Sequence, residues 1–586
     1  MVRRRRVLVE SRPVAADPVP GLPVRVETDV PCRARDGITL YADVYRPADD
    51  GPHPALLMRE PYNKWTAQAG SGYNHPAWWA AHGYLTIVQD VRGRYRSEGE
   101  FVPFVNEAFD GYDAIEWAAT LPGSDGRVAT YGFSYPGATQ LLAATERPPS
   151  LAAICPAMTS SQYYEGWTYN GGAFALAFAA NWAAGLAYDG ARRQGDEAAM
   201  AVLEPATAEA GWFGELPLER LLPLTRENAP YFFDWLDHPS YDDFWRSTAI
   251  DEDYSRIAVP ALHIAGWYDI FLAGTLANFA GLRAGAATEA ARAGQKLVVG
   301  PWRHGPWEPL LGAGDDASPL AVNEWQLRFL DEVVKGRQSG VFDAPVTAYV
   351  MGEGWRDLDG WPPSGSRQID WYLRSGGRAN SRFGDGLLSP EAPGDEPPDT
   401  FVYDPLSPVA SLGGHSCCDD VLTPMGPYSQ EASERWGDVL VYTSQVLDDE
   451  LVLAGDVVVT LHAASTAVDT DFTARLCLVD PDGLSVNLKE GIVRARYRDS
   501  LSVPAPIEPG RVYAYRIALG PLAVRVAPGH RLRLDISSSD FPQWDRNLNT
   551  GGALGTEGPA AAVVARQTVL HDRARPSRVT LPVLPA

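Results

Sequence analysis

Three residues of this sequence have the types and the chain order that acyl transfer requires: Ser134, Asp269 and His304. Ser134 sits in TYGFSYPGATQ (130–140), which meets G-x-S-x-G only loosely, because Pro136 takes the second glycine's place and Gly137 comes one later. So short a pattern also fits a serine packed in a core. It gains chemical meaning where a strand turns sharply into a helix and lifts the serine oxygen above a sheet. An activated serine then needs a base, and the base an orienting carboxylate. Both should sit on loops at the carboxyl ends of later strands, in the order Ser, then Asp or Glu, then His. ALHIA (261–265) leads through GWYD to Asp269, and KLVV (296–299) leads through GPWRH to His304. Taken singly, Asp269 could cap the helix over FLAGTLANF, and His304 could be one more surface residue among ten histidines. Position, order and partner together favour a catalytic triad. His263, inside its strand, reads as a packing residue.

The elements around Ser134 suit that reading. RVATY (127–131) is a short, partly β-branched run of strand type, and PGATQLLAATE starts on a proline suited to a first helical turn. Gly132 and Gly137 fall where side chains would collide as helix crosses strand. From Val24 to Ile154 strand-like runs (LYADVYRP, ALLMRE, YLTIVQDV, RVATYG, LAAICPAM) alternate with helical ones, Glu107 to Thr120 being the clearest helix. Such alternation predicts a largely parallel sheet covered by helices. From Ala157 to Ser255 the sequence turns helix-prone and rich in Trp and Tyr, then the sheet pattern resumes. After Gly340 short alternating strands (VTAYVMG, VLVYTSQVL, DVVVTLHAAS, FTARLCLV, RLRLDISSS) predict a β-sandwich, with DPDG (480–483) as a hairpin turn. The expected organisation is a first core part over 24–156, a helical cap insertion over 157–255, a second core part over 256–340, and a C-terminal β-sandwich over 341–586. Stretches 385–399 and 413–433 read as long loops.

The 586 residues are too many for one ordinary core. A net charge of −24 lacks the basic footprint that nucleic acid or an anionic membrane demands, which points to a small-molecule partner. Cys32, Cys155, Cys417, Cys418 and Cys477 form no C-x-x-C pair and no regular framework, so they are expected to be mostly buried thiols. The basic start MVRRRRVLVESRP loses its apolar character at Glu10, short of a signal-peptide core, so a cytoplasmic location is expected. Ala173 to Tyr188 is apolar but shorter than a membrane span of ~20 residues and is read as a buried helix. HExxH, a P-loop and a strand-linked GxGxxG are absent from the sequence, and neither metal nor cofactor is expected.

GFSYPG, GWYDIF and VVGPWRH resemble the α/β-hydrolase serine hydrolase family that contains bacterial cocaine esterases, α-amino acid ester hydrolases and X-Pro dipeptidyl peptidases, with motifs most like those of the cocaine esterases. The family's elbow, G-x-S-Y-x-G, is met in full. The resemblance extends through ADVYRP, MREPYNKW and VRGRYRSEGEF to VMGEGWRDLDGWPP and SSSDFPQWDRN. It implies an α/β-hydrolase core, an inserted helical cap and a C-terminal jelly-roll. It also implies the oxyanion donors, since the lipase-type HGGG loop is missing: the backbone N–H of Tyr135 and the phenol of Tyr62. Trp167, Trp182 and Phe271 look like the positions whose rings line the acyl pocket, which would suit an apolar, ring-shaped acyl group; the two tryptophans could equally pack the cap. Phe271 and Leu272 stand where α-amino acid ester hydrolases carry acids for a substrate ammonium, which such side chains would leave desolvated. The cap over 189–226 matches no family motif.

The expected activity is therefore hydrolysis of carboxylic esters through an acyl-enzyme, with homo-oligomerisation left open. Three alternatives stand beside it. One is X-Pro dipeptidyl-peptidase activity, although that branch commonly carries an additional N-terminal helical domain for which the stretch before Val24 has no room. Another is an amide or β-lactam side-chain acylase. The third is a non-catalytic ligand-binding protein.

Overall fold

The structure, a computed structural model, describes residues 23–49, 51–65, 74–208, 210–304, 320–418 and 423–585. The basic segment over 1–22 lies outside them. Among the described residues, ten strands form the first sheet: β1 (Val24–Arg33), β2 (Thr39–Pro47), β3 (His53–Glu60), β4 (Leu85–Asp90), β5 (Ser124–Phe133), β6 (Leu151–Ala157), β9 (Ala261–Tyr268), β10 (Gln295–Arg303), β11 (Val346–Val350) and β12 (Gly354–Leu358). Their order is β1-β2-β4-β3-β5-β6-β9-β10-β11-β12. From β4 to β11 every neighbouring pair is parallel, and the pairs at both edges are antiparallel. Strands β4 and β9 are buried along their whole length. Burial of this kind follows when helices cover both faces of a parallel sheet. The helices of this part include α1 (Pro76–Ala81), α2 (Glu107–Thr120) and α3 (Tyr135–Thr145).

Between β6 and β9 the chain leaves the sheet. It forms a small hairpin of β7 (Tyr169–Asn170) and β8 (Ala173–Phe174), then α4 (Leu176–Gln194), α5 (Glu197–Ala208), α6 (Pro230–Asp237) and α7 (Asp243–Arg246). Helix α4 contains most of the alanine-rich run and is a buried helix. It ends on Gly195 at φ 70°, a left-handed cap that glycine adopts without strain. After it come α8 (Leu272–Gly285), α9 (Glu289–Ala293) and α10 (Leu320–Val333). No helix among the described residues is long and apolar enough to cross a membrane.

The C-terminal region is β-rich. Eleven strands among the described residues join in one hydrogen-bonded system: β13 (Arg367–Arg374), β14 (Leu387–Ser389), β15 (Asp399–Tyr403), β16 (Leu440–Ser444), β17 (Leu451–Ser465), β18 (Asp471–Val479), β19 (Ser485–Arg494), β20 (Tyr513–Val526), β21 (Arg531–Ser537), β22 (Ala565–Leu570) and β23 (Arg578–Leu584). It encloses its own apolar core, with Leu453, Leu461, Leu476, Leu534 and Val569 fully buried.

Two expectations need correction. VTAYVMG, assigned to the C-terminal strands, forms β11 and pairs in parallel with β10, so it belongs to the first sheet. All five β11 residues are buried, and a short apolar run has no period that separates an internal parallel strand from a sandwich strand. Of the five cysteines, Cys32, Cys155 and Cys477 are buried thiols, but Cys417 and Cys418 are joined in a vicinal disulfide. Two adjacent cysteines match no spacing rule that would have announced it.

Candidate active site

Ser134 follows the last residue of β5 and precedes the first turn of α3, with φ 63° and ψ −126°. A positive φ is strained for a serine, and strain of this sort persists only where the surroundings enforce it. Here the Ser134 N–H is tied to the Ala157 carbonyl at the end of β6 (2.9 Å), and its own carbonyl accepts the N–H groups of Gly137 (2.9 Å) and Ala138 (3.0 Å). Both flanking glycines are sterically required. A Cβ on Gly132, itself at φ 140°, would stand 2.5 Å from Pro136 Cβ, and one on Gly137 would stand 2.8 Å from the Ala157 oxygen. The turn thus lifts the hydroxyl above the carboxyl edge of the sheet.

Strands β9 and β10 are adjacent, parallel and in register from Ala261 opposite Gln295 to Gly266 opposite Gly300. Their ends therefore deliver Asp269 and His304 to the same edge. His304 Nε2 lies 3.0 Å from Ser134 Oγ, and His304 Nδ1 lies 2.7 Å from Asp269 Oδ1. Asp269 is fully buried, and the same Oδ1 accepts the Phe271 N–H (3.2 Å). A carboxylate on Nδ1 holds that proton there and leaves Nε2 with its lone pair towards the serine, as a general base needs.

Tyr62 follows β3 and reaches the same space. The Trp182 indole Nε1–H donates to its phenol oxygen (3.2 Å), and the Ser134 hydroxyl is among the groups near that phenol. Burial holds the phenol well above its ordinary pKa, so it keeps the proton that a donor must have. Tyr135 has a different use for its side chain, whose hydroxyl donates to Glu107 Oε1 (2.8 Å) and accepts the Phe104 N–H (3.0 Å). Its backbone N–H, as the first residue of α3, belongs to the donors that a helix leaves unpaired at its start.

The three aromatics singled out from the sequence come together. Phe271 meets the His304 ring edge-on (5.1 Å, 88°), Trp167 stacks on Phe271 (4.0 Å, 9°), and Trp182 lies 6.0 Å from Trp167. Sequence reasoning missed others in the same cluster. Phe178 lies 5.7 Å from Trp167, and an aromatic pair at 178 and 182, one helical turn apart on α4, is a signal that could have found it. Phe104 stacks on Tyr163 (3.7 Å) and holds a strained φ of 69° that no sequence pattern announces. Phe271 and Leu272 are both buried, so no carboxylate from those positions faces the site.

The C-terminal region reaches beneath this machinery. The ring of His415 touches the Trp267 carbonyl through Nε2 (2.7 Å) and Glu490 Oε1 through Nδ1 (2.8 Å), while Tyr268 donates its hydroxyl to the Asn487 carbonyl (2.8 Å). Burial pulls the neighbouring Lys489 down to about 7. These contacts brace the end of β9 from which Asp269 projects. Among the described residues the one grouping suited to a metal ion, Glu434, Cys477 and Asp535, lies in the C-terminal region, where Glu434 already pairs with Arg533.

A serine on a strained strand-to-helix turn, facing an imidazole at the carboxyl edge of a helix-covered parallel sheet, puts the protein among the serine hydrolases of α/β-hydrolase fold. Residues 36–306 match the X-Pro dipeptidyl-peptidase (S15) family, and residues 340–580 match the X-Pro dipeptidyl-peptidase C-terminal non-catalytic domain. The chain is 36% identical over 582 residues to the cocaine esterase of Rhodococcus sp. (strain MB1 Bresler), covering 95% of this chain and 98% of that one. Among solved structures, an aminopeptidase from the marine sediment archaeon Thaumarchaeota archaeon aligns with a TM-score of 0.77 at 25% identity, over 96% of each chain. An α-amino acid ester hydrolase aligns with a TM-score of 0.77 at 24% identity, over 99% of this chain and 100% of that one, a likeness of fold. The chain belongs to the X-Pro dipeptidyl-peptidase (S15) family.

Proposed function

We propose that the protein hydrolyses carboxylic esters with an apolar, aromatic-compatible acyl group through a Ser134-His304-Asp269 triad and an acyl-enzyme. The observation that carries this reading is the pair of hydrogen bonds from His304, to Ser134 at 3.0 Å and to Asp269 at 2.7 Å. His304 Nε2 takes the Ser134 proton as Oγ attacks the ester carbonyl carbon, and the resulting oxyanion accepts hydrogen bonds from the Tyr62 phenol and the Tyr135 N–H. Collapse of the tetrahedral species expels the alcohol, which leaves with the proton from Nε2. Water then attacks the acyl-enzyme, giving its proton to Nε2. The second collapse releases the carboxylic acid and returns that proton to Ser134. The cluster of Trp167, Trp182 and Phe271 supplies flat apolar surface for a ring-shaped acyl group.

A second reading, release of X-Pro dipeptides by the same groups, is favoured by the family match and by the likeness to an aminopeptidase. Hydrolysis of matched acetyl and benzoyl aryl esters, with an X-Pro p-nitroanilide in the same assay, separates the two. The ester reading expects ester turnover that disappears in Ser134→Ala, with the higher kcat/KM for benzoyl. Cleavage of the X-Pro amide alone would replace it with the peptidase reading.

A further inference from the structure

The oxyanion donor Tyr62 is held by an arrangement that catalysis itself does not require. Glu60 ends β3 and Asp90 ends β4, and the two are register partners in adjacent parallel strands. Both side chains are fully buried. Each grips the loop that carries Tyr62: Glu60 Oε2 accepts the Tyr62 N–H (2.5 Å), and Asp90 Oδ1 accepts the Lys64 N–H (2.9 Å). Arg94 Nε holds the Pro61 carbonyl between them (2.7 Å). Two ionised carboxylates side by side in a buried place are strongly disfavoured unless a cation or a proton intervenes.

The nearby cations have other partners. Lys64 Nζ pairs with Asp43 on β2 (2.8 Å) and Asp29 on β1 (2.8 Å). The Arg94 guanidinium pairs with Asp189 on α4 (2.7 Å), which also accepts the Tyr95 hydroxyl and pairs with Arg192. Arg96 offers Asp90 its backbone N–H (3.4 Å), while its side chain lies near Asp29 (3.6 Å). Arg193 donates to the Gly93 and Tyr95 carbonyls, and Arg59 pairs with Glu107. Glu60 Oε1 meets no donor among the described residues and has the Asp90 carboxyl as its neighbour. A proton on Glu60, donated to Asp90, satisfies both groups at once.

We propose that Glu60 and Asp90 share one proton and act as positioning residues for Tyr62, setting the phenol between Trp182 and Ser134. The proposal rests on the reading of Tyr62 as an oxyanion donor. Burial, followed by the charge of Asp90, raises Glu60 well above the usual carboxylate range, and burial lifts Asp90 to about 6, which agrees with a pair that still holds a proton at neutral pH. The sign follows. Raised proton affinity means the arrangement is intact below the pH at which the shared proton leaves and is lost as pH rises through it. Activity therefore falls on the alkaline side, as two like charges push the strand ends apart.

The test is the pH dependence of kcat and KM for an aryl ester in wild type, Glu60→Gln and Glu60→Ala, with each change repeated in Tyr62→Phe. Glutamine imitates the protonated acid, because its oxygen still accepts from Tyr62 and its amide donates to Asp90. The expected result is a loss of about ten- to a hundredfold in kcat for Glu60→Ala with little change in KM, the scale of a misplaced catalytic group. Glu60→Gln keeps kcat near wild type at neutral pH and loses the alkaline fall. In Tyr62→Phe, Glu60→Ala adds almost nothing. The proposal is overturned if Glu60→Gln is as damaged as Glu60→Ala, if its alkaline limb is unchanged, or if the alanine effect persists undiminished without the phenol. Should Glu60→Ala fail to fold, the pH profile of Glu60→Gln decides alone. If Tyr62→Phe itself leaves kcat unchanged, the oxyanion reading fails, and this proposal with it.

Discussion

The two sides of Ser134 are built differently. On one side the proposed proton relay consists of two residues at the ends of adjacent parallel strands, joined by hydrogen bonds of 3.0 and 2.7 Å. On the other, the proposed oxyanion donor is a phenol placed by contributions from β3, β4, the loop after β4 and, through Trp182, the cap helix α4. The relay takes its geometry from the sheet, whose backbone register leaves little freedom. The donor side takes its geometry from tertiary contacts, each of which can be lost or tuned separately. Rigid strands suit groups that exchange a proton at a fixed distance, whereas on the proposed reading a side-chain donor assembled from several elements would link the cap to the rate.

Substitutions can break this contrast at graded cost. Ser134→Ala should lower kcat by about a millionfold, leaving only what binding and the oxyanion donors supply, and Asp269→Asn by about ten-thousandfold through the wrong imidazole tautomer; steady-state kinetics on an aryl ester checks both. Tyr62→Phe removes one oxyanion donor and should cost about a hundred- to a thousandfold in kcat with KM nearly constant. A fall in KM-dependent binding instead would make Tyr62 a pocket wall. Trp182→Phe keeps a ring but loses the indole N–H, so a loss of about tenfold is expected, equal for acetyl and benzoyl esters. If only the benzoyl ester suffers, Trp182 serves the acyl pocket alone.

The last effect is one of stability rather than rate and lies within the rigid half. His263, buried in β9 and hydrogen-bonded to Gln295 (2.9 Å), is pulled down to about 4 by burial. It is neutral when folded, while the unfolded imidazole takes a proton near pH ~6.5. The unfolded chain thus binds the extra proton between those values, and stability declines as pH falls through that window and levels off below about 4, by up to about 3 kcal/mol. Urea unfolding of wild type and His263→Gln at neutral and mildly acidic pH should show the acid loss reduced in the variant. An equal loss in both would clear His263 of the effect.

The convergence of Ser134, Asp269 and His304, the proposed relay, was legible because its determinants are local: each follows a strand-like run, and their chain order fits the fold. The glycines at 132 and 137 were legible for the same reason, their steric role being set by residues within a turn or by the neighbouring strand end. The donor side was not. Tyr62 was reached only through resemblance, since a tyrosine after a strand has no signature, and nothing in REPYNKW or IVQD says that Glu60 and Asp90 become register partners. Phe104 joins the aromatic cluster through a left-handed backbone that composition cannot foretell. In the fold, the helix over Glu107 to Thr120 and the buried α4 were readable from periodicity and apolar content. The membership of VTAYV in the first sheet depended on long-range pairing.

Covalent labelling of the wild type and Ser134→Ala with an aryl phosphonate ester, followed by intact-mass and peptide analysis, tests the central claim most directly. The account predicts one phosphonyl group per wild-type chain, on the peptide containing Ser134, with one phenolate released, all esterase activity lost and no label in the variant. Inactivation with the label on another residue, or ester turnover persisting in Ser134→Ala, would contradict it.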